Sequence, residues 1–304
     1  MPRVARIKNE NGIYHIMVRS ISDISLFKDN EDKNRYLEII KKYRLTYIFK
    51  VYAYCLMTTH AHIAIDCCGA DISKIVKSIN QCYVAYFNKK YNRHGHLFQD
   101  RFKSKLVDND KYLLALTAYI HNNPKDIYND KISILEYKYS SLRIYLKLAT
   151  DTYDILDVDY ILSHFSMNKK RARKIYFEFV DRLSNITEKI DIEFKEEGSE
   201  SKNQRTILLR NVNPIKIIDF ISKYTKTDFN IHIKFTHKNT DLKALTILVM
   251  RSLCNYSLKE IGNFIGNMTA SNLWRLSNKG YLLITSNIMY LTLIDDIISN
   301  FSLN

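Results

Sequence analysis

The chain has 304 residues and 46% hydrophobic content, normal for a globular protein and enough for two or three domains. Its 46 Lys and Arg exceed its 32 Asp and Glu, a formal charge of +14, which points to a polyanionic partner. No run reaches the roughly 18 uninterrupted apolar residues of a spanning helix and no signal peptide opens the sequence, so nucleic acid is expected rather than a membrane, in a cytoplasmic, nucleoid-associated setting. The five cysteines, Cys55, Cys67, Cys68, Cys82 and Cys254, are odd in number and form no CxxC pair, which argues against a disulfide framework or a zinc ribbon.

In chain order, GIYHIMVRS at 12–20 reads as a first strand. Tyr36, Leu37, Ile39, Ile40 and Tyr43 space an amphipathic helix over 29–44. Residues 46–57 and 60–67 read as second and third strands. Asp71 is a candidate N-cap for a helix through Tyr91, with Ile72, Ile75, Val76, Ile79, Tyr83 and Phe87 on one face. RFKSKLV at 101–107 predicts a fourth strand, and a helix from Asp110 is expected to end at Pro124, because the residue before proline avoids the α region. The order βαββαβ with a trailing helix predicts an α+β fold, a ferredoxin-like antiparallel sheet with helices. A basic helical extension over 151–186 follows, in which NKKRARK at 168–174 reads first as a solvated face and second as a DNA-backbone contact. TEKIDIEFKEEGSESKNQRT at 187–206 predicts a polar linker, and 207–304 an all-α domain.

Within TTHAHIAI at 58–65, His60 and His62 sit two apart on a strand and so share one face, where both imidazoles can ligate one ion. In YLLALTAYIHNNP at 112–124, Tyr119 and Asn123 are four apart on one helical face, and Tyr112, seven before Tyr119, competes with it.

These stretches resemble a known family. The YCLMTTHAHIAI context resembles the HUH motif of single-tyrosine transposases. GHLFQDRFKSKL at 95–106, YLLALTAYIHNNP at 112–124 and YSSLRIYL at 139–146 are similar, in the same order, to blocks of REP-associated tyrosine transposases. The resemblance covers roughly 8–150 and implies that 1–150 is a catalytic domain. It implies that His60 and His62 bind a divalent ion, Mg²⁺ or Mn²⁺, with Asn123 as a third, amide-oxygen ligand. Tyr119 rather than Tyr112 then holds the nucleophile position and forms a 5′-phosphotyrosine link to single-stranded or hairpin DNA, the protein acting as a monomer or homodimer. Arg101 and Lys103 would approach phosphates, in a polar block with His94, His96 and Gln99. His15 and His121 read as structural. Two positions depart from the family pattern: Thr58 and Thr59 replace the usual Pro-Asn, and Asn122 replaces a leucine.

Residues 241–280 predict a helix-turn-helix: Ser257 and Glu260 form a capping box, GNMT is the turn, and Thr269 caps the second helix. The early residues of such a second helix enter the major groove, here Ala270, Ser271, Asn272 and Arg275, while such units also serve as protein-contact domains. The segment is similar in outline to the DNA-binding domain of the replication initiator DnaA, without that family's base-reading arginine and histidine. Trp274 reads as core. Two other classes stand beside the enzyme: a non-catalytic DNA-binding regulator that keeps the fold, and an RNA-binding module, which would want aromatic pairs on the central strands.

Overall fold

The computed structural model describes residues 9, 11–22, 24–128, 134–184, 205–233, 239–266 and 268–303. The expected linker at 187–206 lies outside them except for its last two residues. The chain divides into two units, one of residues 1–41, 49–67 and 72–204 and one of 42–48, 68–71 and 205–304.

The first unit is built on four antiparallel strands, β1 (Ile13–Arg19), β2 (Lys50–Leu56), β3 (His60–Asp66) and β4 (Lys103–Val107), in the order β2-β3-β1-β4. This is the ferredoxin-like arrangement expected from the element order. Alternation along β1 decides what each face carries: Tyr14, Ile16 and Val18 are buried, while His15, Met17 and Arg19 point to the opposite, more open face. Register pairs Met17 with His62, Arg19 with His60, His15 with Lys105 and Met17 with Lys103, so all these residues share the open face.

Helices α1 (Asn30–Tyr47) and α2 (Ile72–Lys90) join through edge-to-face aromatics, with the Tyr36 and Tyr83 rings 5.0 Å apart at 85°. The buried stripe of α2 is the one its spacing predicts. Helix α1 overruns the strand expected from residue 46. Tyr43 and Tyr47 stack one turn apart, Thr46 Oγ1 donates to the Lys42 carbonyl, and the chain leaves the helix only at Ile48, in the left-handed region at φ 49°. Those contacts outweigh the weak preference of aromatic and β-branched residues for strands.

Helix α3 (Asp110–Tyr128) packs on β2, β3 and β4 and passes through Pro124 instead of ending there. The proline removes one backbone donor, but anchors in the preceding turn hold the helix: Asn122 Nδ2 donates to the Val180 carbonyl at 2.8 Å, and His121 is bonded on both ring nitrogens. Val180 belongs to α6 (Lys169–Ser184), which packs on α3; α5 (Val158–Ser163) lies between α6 and β2, so the basic extension shares the unit of the sheet.

Strand β2 is an edge strand, yet nearly all of it is buried. Residues 137–157, including the short α4 (Leu142–Tyr145), close that edge. Ser141 Oγ accepts from the Tyr54 amide at 2.9 Å and donates to its carbonyl at 3.2 Å; the Tyr137 and Tyr145 hydroxyls donate to the carbonyls of Leu56 and Tyr52 at 2.6 Å. The YSSLRIYL block thus satisfies an open ladder that would otherwise be free to pair.

In the second unit, α7 (Pro214–Thr225), α8 (Thr240–Leu253), α9 (Leu258–Ile265), α10 (Ala270–Ser286) and α11 (Leu293–Phe301) surround one apolar core. It is helical, as expected, apart from one two-residue pairing of β5 (Ile207–Leu208) with β6 (Ser302–Leu303). A Cβ on Gly280 of α10 would lie 2.5 Å from the Ala244 carbonyl of α8, so only glycine permits that crossing. The buried Arg210 guanidinium donates to the carbonyls of Ile48, Cys68 and Ser252 and to Ser252 Oγ, tying the three chain segments of this unit together. Among the described residues no single helix is long and apolar enough to cross a membrane.

Candidate functional site

The open face of the sheet gathers His15, His60 and His62 beneath Tyr119 of α3. The His60 and His62 rings are 5.1 Å apart at 89°; Tyr119 stands edge-on to His62 at 5.6 Å and to His15 at 5.9 Å. The separation of the first pair can be tested against an ion. A metal–nitrogen bond of about 2.1 Å plus roughly 1.1 Å from nitrogen to ring centre puts two rings on one ion about 4.5–5.2 Å apart, for ligand angles of about 90–110°. The observed 5.1 Å falls inside that range. Both rings also have Nδ1 engaged, His60 with Thr59 Oγ1 at 3.1 Å and His62 with His15 Nε2 at 2.8 Å.

Asn123 lies one turn beyond Tyr119 and is buried. Its Nδ2 donates to the Tyr119 carbonyl at 3.1 Å. A carbonyl only accepts, so the contact fixes which end of the amide is nitrogen and turns Oδ1 away as the end suited to a cation. Two imidazoles and an amide oxygen form a donor set that fits a divalent ion. Among the described residues no group of three or more His, Cys, Asp and Glu could hold a metal ion.

Burial keeps the His15 and His62 imidazoles neutral. Burial, with the Lys105 ammonium adding to it, lowers His15 to about 4. Burial, then His15 and His60, holds His62 well below the usual histidine range. Neutral rings are what metal ligation requires. The two tyrosines of α3 separate by access. Tyr112 is 1% exposed and burial pushes its hydroxyl up to about 12, with Asp108 and Tyr119 contributing, whereas Tyr119 is half-buried.

The structure brings His60, His62, Tyr119 and Lys103 to one face. Exposed Arg101 lines a cavity of about 870 Å³ with Ser73, Lys77 and Asn80 of α2. His121 is structural: fully buried, pushed by burial down to about 3, and bonded to Ser141 and Tyr176. His15, read as structural in the sequence, belongs instead to the site, and Lys105 joins it, with its ammonium 5.3 Å from the Tyr112 ring centre. The alternation of GIYHIMVRS places His15 with Met17 and Arg19; only the register with β3 shows that theirs is the histidine face.

Both departures in sequence have structural partners. The Thr59 carbonyl accepts from the Ser20 amide and hydroxyl and the Thr58 carbonyl from the Phe27 amide, so the turn into β3 is fastened without proline. Asn122 ties α3 to α6.

In the second unit Ser257 and Glu260 form the full capping box, Gly266 ends α9 at φ 118°, and Thr269 caps α10. Ser271 and Arg275 are exposed, and Asn272 Oδ1 accepts from Arg275 Nη2 at 2.9 Å, pairing those two side chains. Trp274 is not core: Leu273 and Leu276 take the inner face, and the indole is 47% exposed, with Lys42 Nζ 5.2 Å from its ring centre.

Residues 8–123 match the family model described as transposase, IS200-like. A solved REP-associated tyrosine transposase bound to a REP hairpin aligns with 48% of this chain and 86% of its own, at 16% identity and a TM-score of 0.42. No curated protein sequence matches the chain.

Proposed function

We propose that the protein nicks and rejoins single-stranded DNA, held as a hairpin, through Tyr119, a reading supported by the match of residues 8–123 to the IS200-like transposase model. The observation that carries the reading is the half-buried Tyr119 ring set edge-on to His62, beside a second histidine at ion-sharing distance. The Tyr119 oxygen attacks the scissile phosphorus as its proton leaves. The bond to the 3′ oxygen breaks, that oxygen takes up a proton, and the products are a 5′-phosphotyrosine and a free 3′-OH. Attack by a 3′-OH reverses the step, so the phosphodiester energy is kept in the covalent link and no nucleotide cofactor is required. A divalent ion, Mg²⁺ or Mn²⁺, bound by His60, His62 and Asn123 would polarise the phosphate and position it. Arg19, Lys103 and Lys105 line the same sheet face and supply positive charge for the DNA backbone.

The test is a covalent adduct between the full chain, Mn²⁺ and labelled single-stranded DNA from the flanks of its own gene. Tyr119→Phe removes one oxygen and is expected to abolish the adduct while DNA binding persists; Tyr112→Phe keeps it. An adduct formed by Tyr119→Phe and lost in Tyr112→Phe would overturn the assignment, and no adduct in the wild type would favour a non-catalytic binder.

A further inference from the structure

His15 has a short contact with His62 that the chemistry above does not use. The two ring planes differ by only 27°, with centres 5.1 Å apart, and His15 Nε2 lies 2.8 Å from His62 Nδ1, so the rings meet edge to edge. A nitrogen–nitrogen contact of that length holds one proton, with one ring donating and the other accepting. If His62 donates from Nδ1, its Nε2 carries a lone pair and can ligate. If His15 donates, the proton of His62 sits on Nε2 and ligation is blocked.

We propose that His15 is the positioning residue of the metal site: it accepts the Nδ1 proton of His62 and so holds His62 in the one tautomer that presents Nε2 to the ion. The assignment rests on the metal reading given above and adds to it a residue outside the ligand set. Register supports the role. Met17 faces His62 directly, and His15 is its diagonal neighbour on the same face, so the sheet itself fixes the distance between the rings. Both rings are close-packed, with Tyr119 edge-on to each, which leaves His62 little freedom to turn over. The remaining charge beside His15 is Lys105, directly opposite on β4, a donor that would favour the reverse tautomer if it bonded the far nitrogen of His15. The two arrangements are therefore experimentally distinct.

Ring-¹⁵N spectra of the metal-free wild-type chain decide first. The expected result is a proton on Nδ1 of His62; a proton on Nε2 overturns the proposal. Mn²⁺ titrations of the full-length variants decide second. His15→Leu removes the acceptor and is expected to weaken Mn²⁺ binding about ten- to hundredfold, the usual cost of losing an outer partner of a ligating histidine. His15→Gln offers an oxygen near the position of Nε2 and is expected to restore most of the affinity. Equal Mn²⁺ affinity in His15→Leu and wild type overturns the proposal. Should His15→Leu fail to fold, the wild-type spectrum still decides. A wild-type chain that binds no Mn²⁺ would sink the metal reading, whereas the tautomer of His62 judges His15 independently.

Discussion

Helix α3 is flanked by two histidine clusters that differ in how many of their hydrogen-bonding valences are used. At His121 every valence is closed. The single hydroxyl proton of Ser141 goes to the Tyr54 carbonyl, so its oxygen accepts from His121 Nε2–H; Nδ1 then accepts from the Tyr176 hydroxyl at 2.7 Å. Nothing remains to meet a substrate. At His62 Nδ1 is committed to His15, and the proposed ion would take Nε2. Both rings are buried and both are held neutral by that burial. Burial and charge therefore do not separate a structural histidine from a functional one here. The unused valence does, as does the neighbouring tyrosine: Tyr176 is fully buried, Tyr119 only half.

That contrast can be broken from either side. The largest effect is expected on the open cluster. His60→Ala or His62→Ala, and EDTA on the wild type, should each reduce DNA cleavage below detection, with thermal unfolding in EDTA little changed. Asn123→Ala should reduce cleavage less, since water can replace a neutral amide oxygen. Cleavage at full rate in EDTA would show that the open valence holds no ion.

On the closed cluster the expectation is inverted. His121→Leu removes one hydrogen bond each from the Tyr176 hydroxyl and Ser141 Oγ. It should destabilise the fold by about 1–3 kcal/mol, measured by denaturant unfolding. Mn²⁺ affinity of the folded variant should stay at the wild-type value. A stable His121→Leu chain with impaired metal binding would exchange the two roles.

The smallest effect is expected in the second unit, where Arg275 is exposed and donates to Asn272 Oδ1. If α10 contacts DNA, Arg275→Ala in the full chain should lower the slope of log affinity against log salt by about 0.7–0.9, one phosphate contact. An unchanged slope would assign this helix to a protein partner.

Much of the first unit was legible because its signals are local. Alternation in GIYHIMVRS, the i, i+2 pair of His60 and His62, and the stripe from Ile72 to Phe87 each follow from the period of one element. The capping box at Ser257 and Glu260 is local in the same way. Reading failed where a distant partner decided. Helix α1 ran past residue 46, where the Tyr47 hydroxyl accepts from Arg251 Nη2 at 3.0 Å, α3 ran through Pro124 between its anchors to Ser141, Tyr176 and Val180, and the core of the second unit took Leu273 and Leu276 rather than Trp274.

The sequence by itself determined the order of strands and helices, the shared face of His60 and His62, and the pairing of Tyr119 with Asn123 on one side of a helix, because each depends only on 2.0- or 3.6-residue periodicity. The tertiary structure alone decided that His15 joins His62 while His121 does not, and that Tyr119 rather than Tyr112 keeps access. Those outcomes depend on strand register and on which groups close each nitrogen's valence, and residues 47 or 55 positions apart in the chain carry no local signal of either.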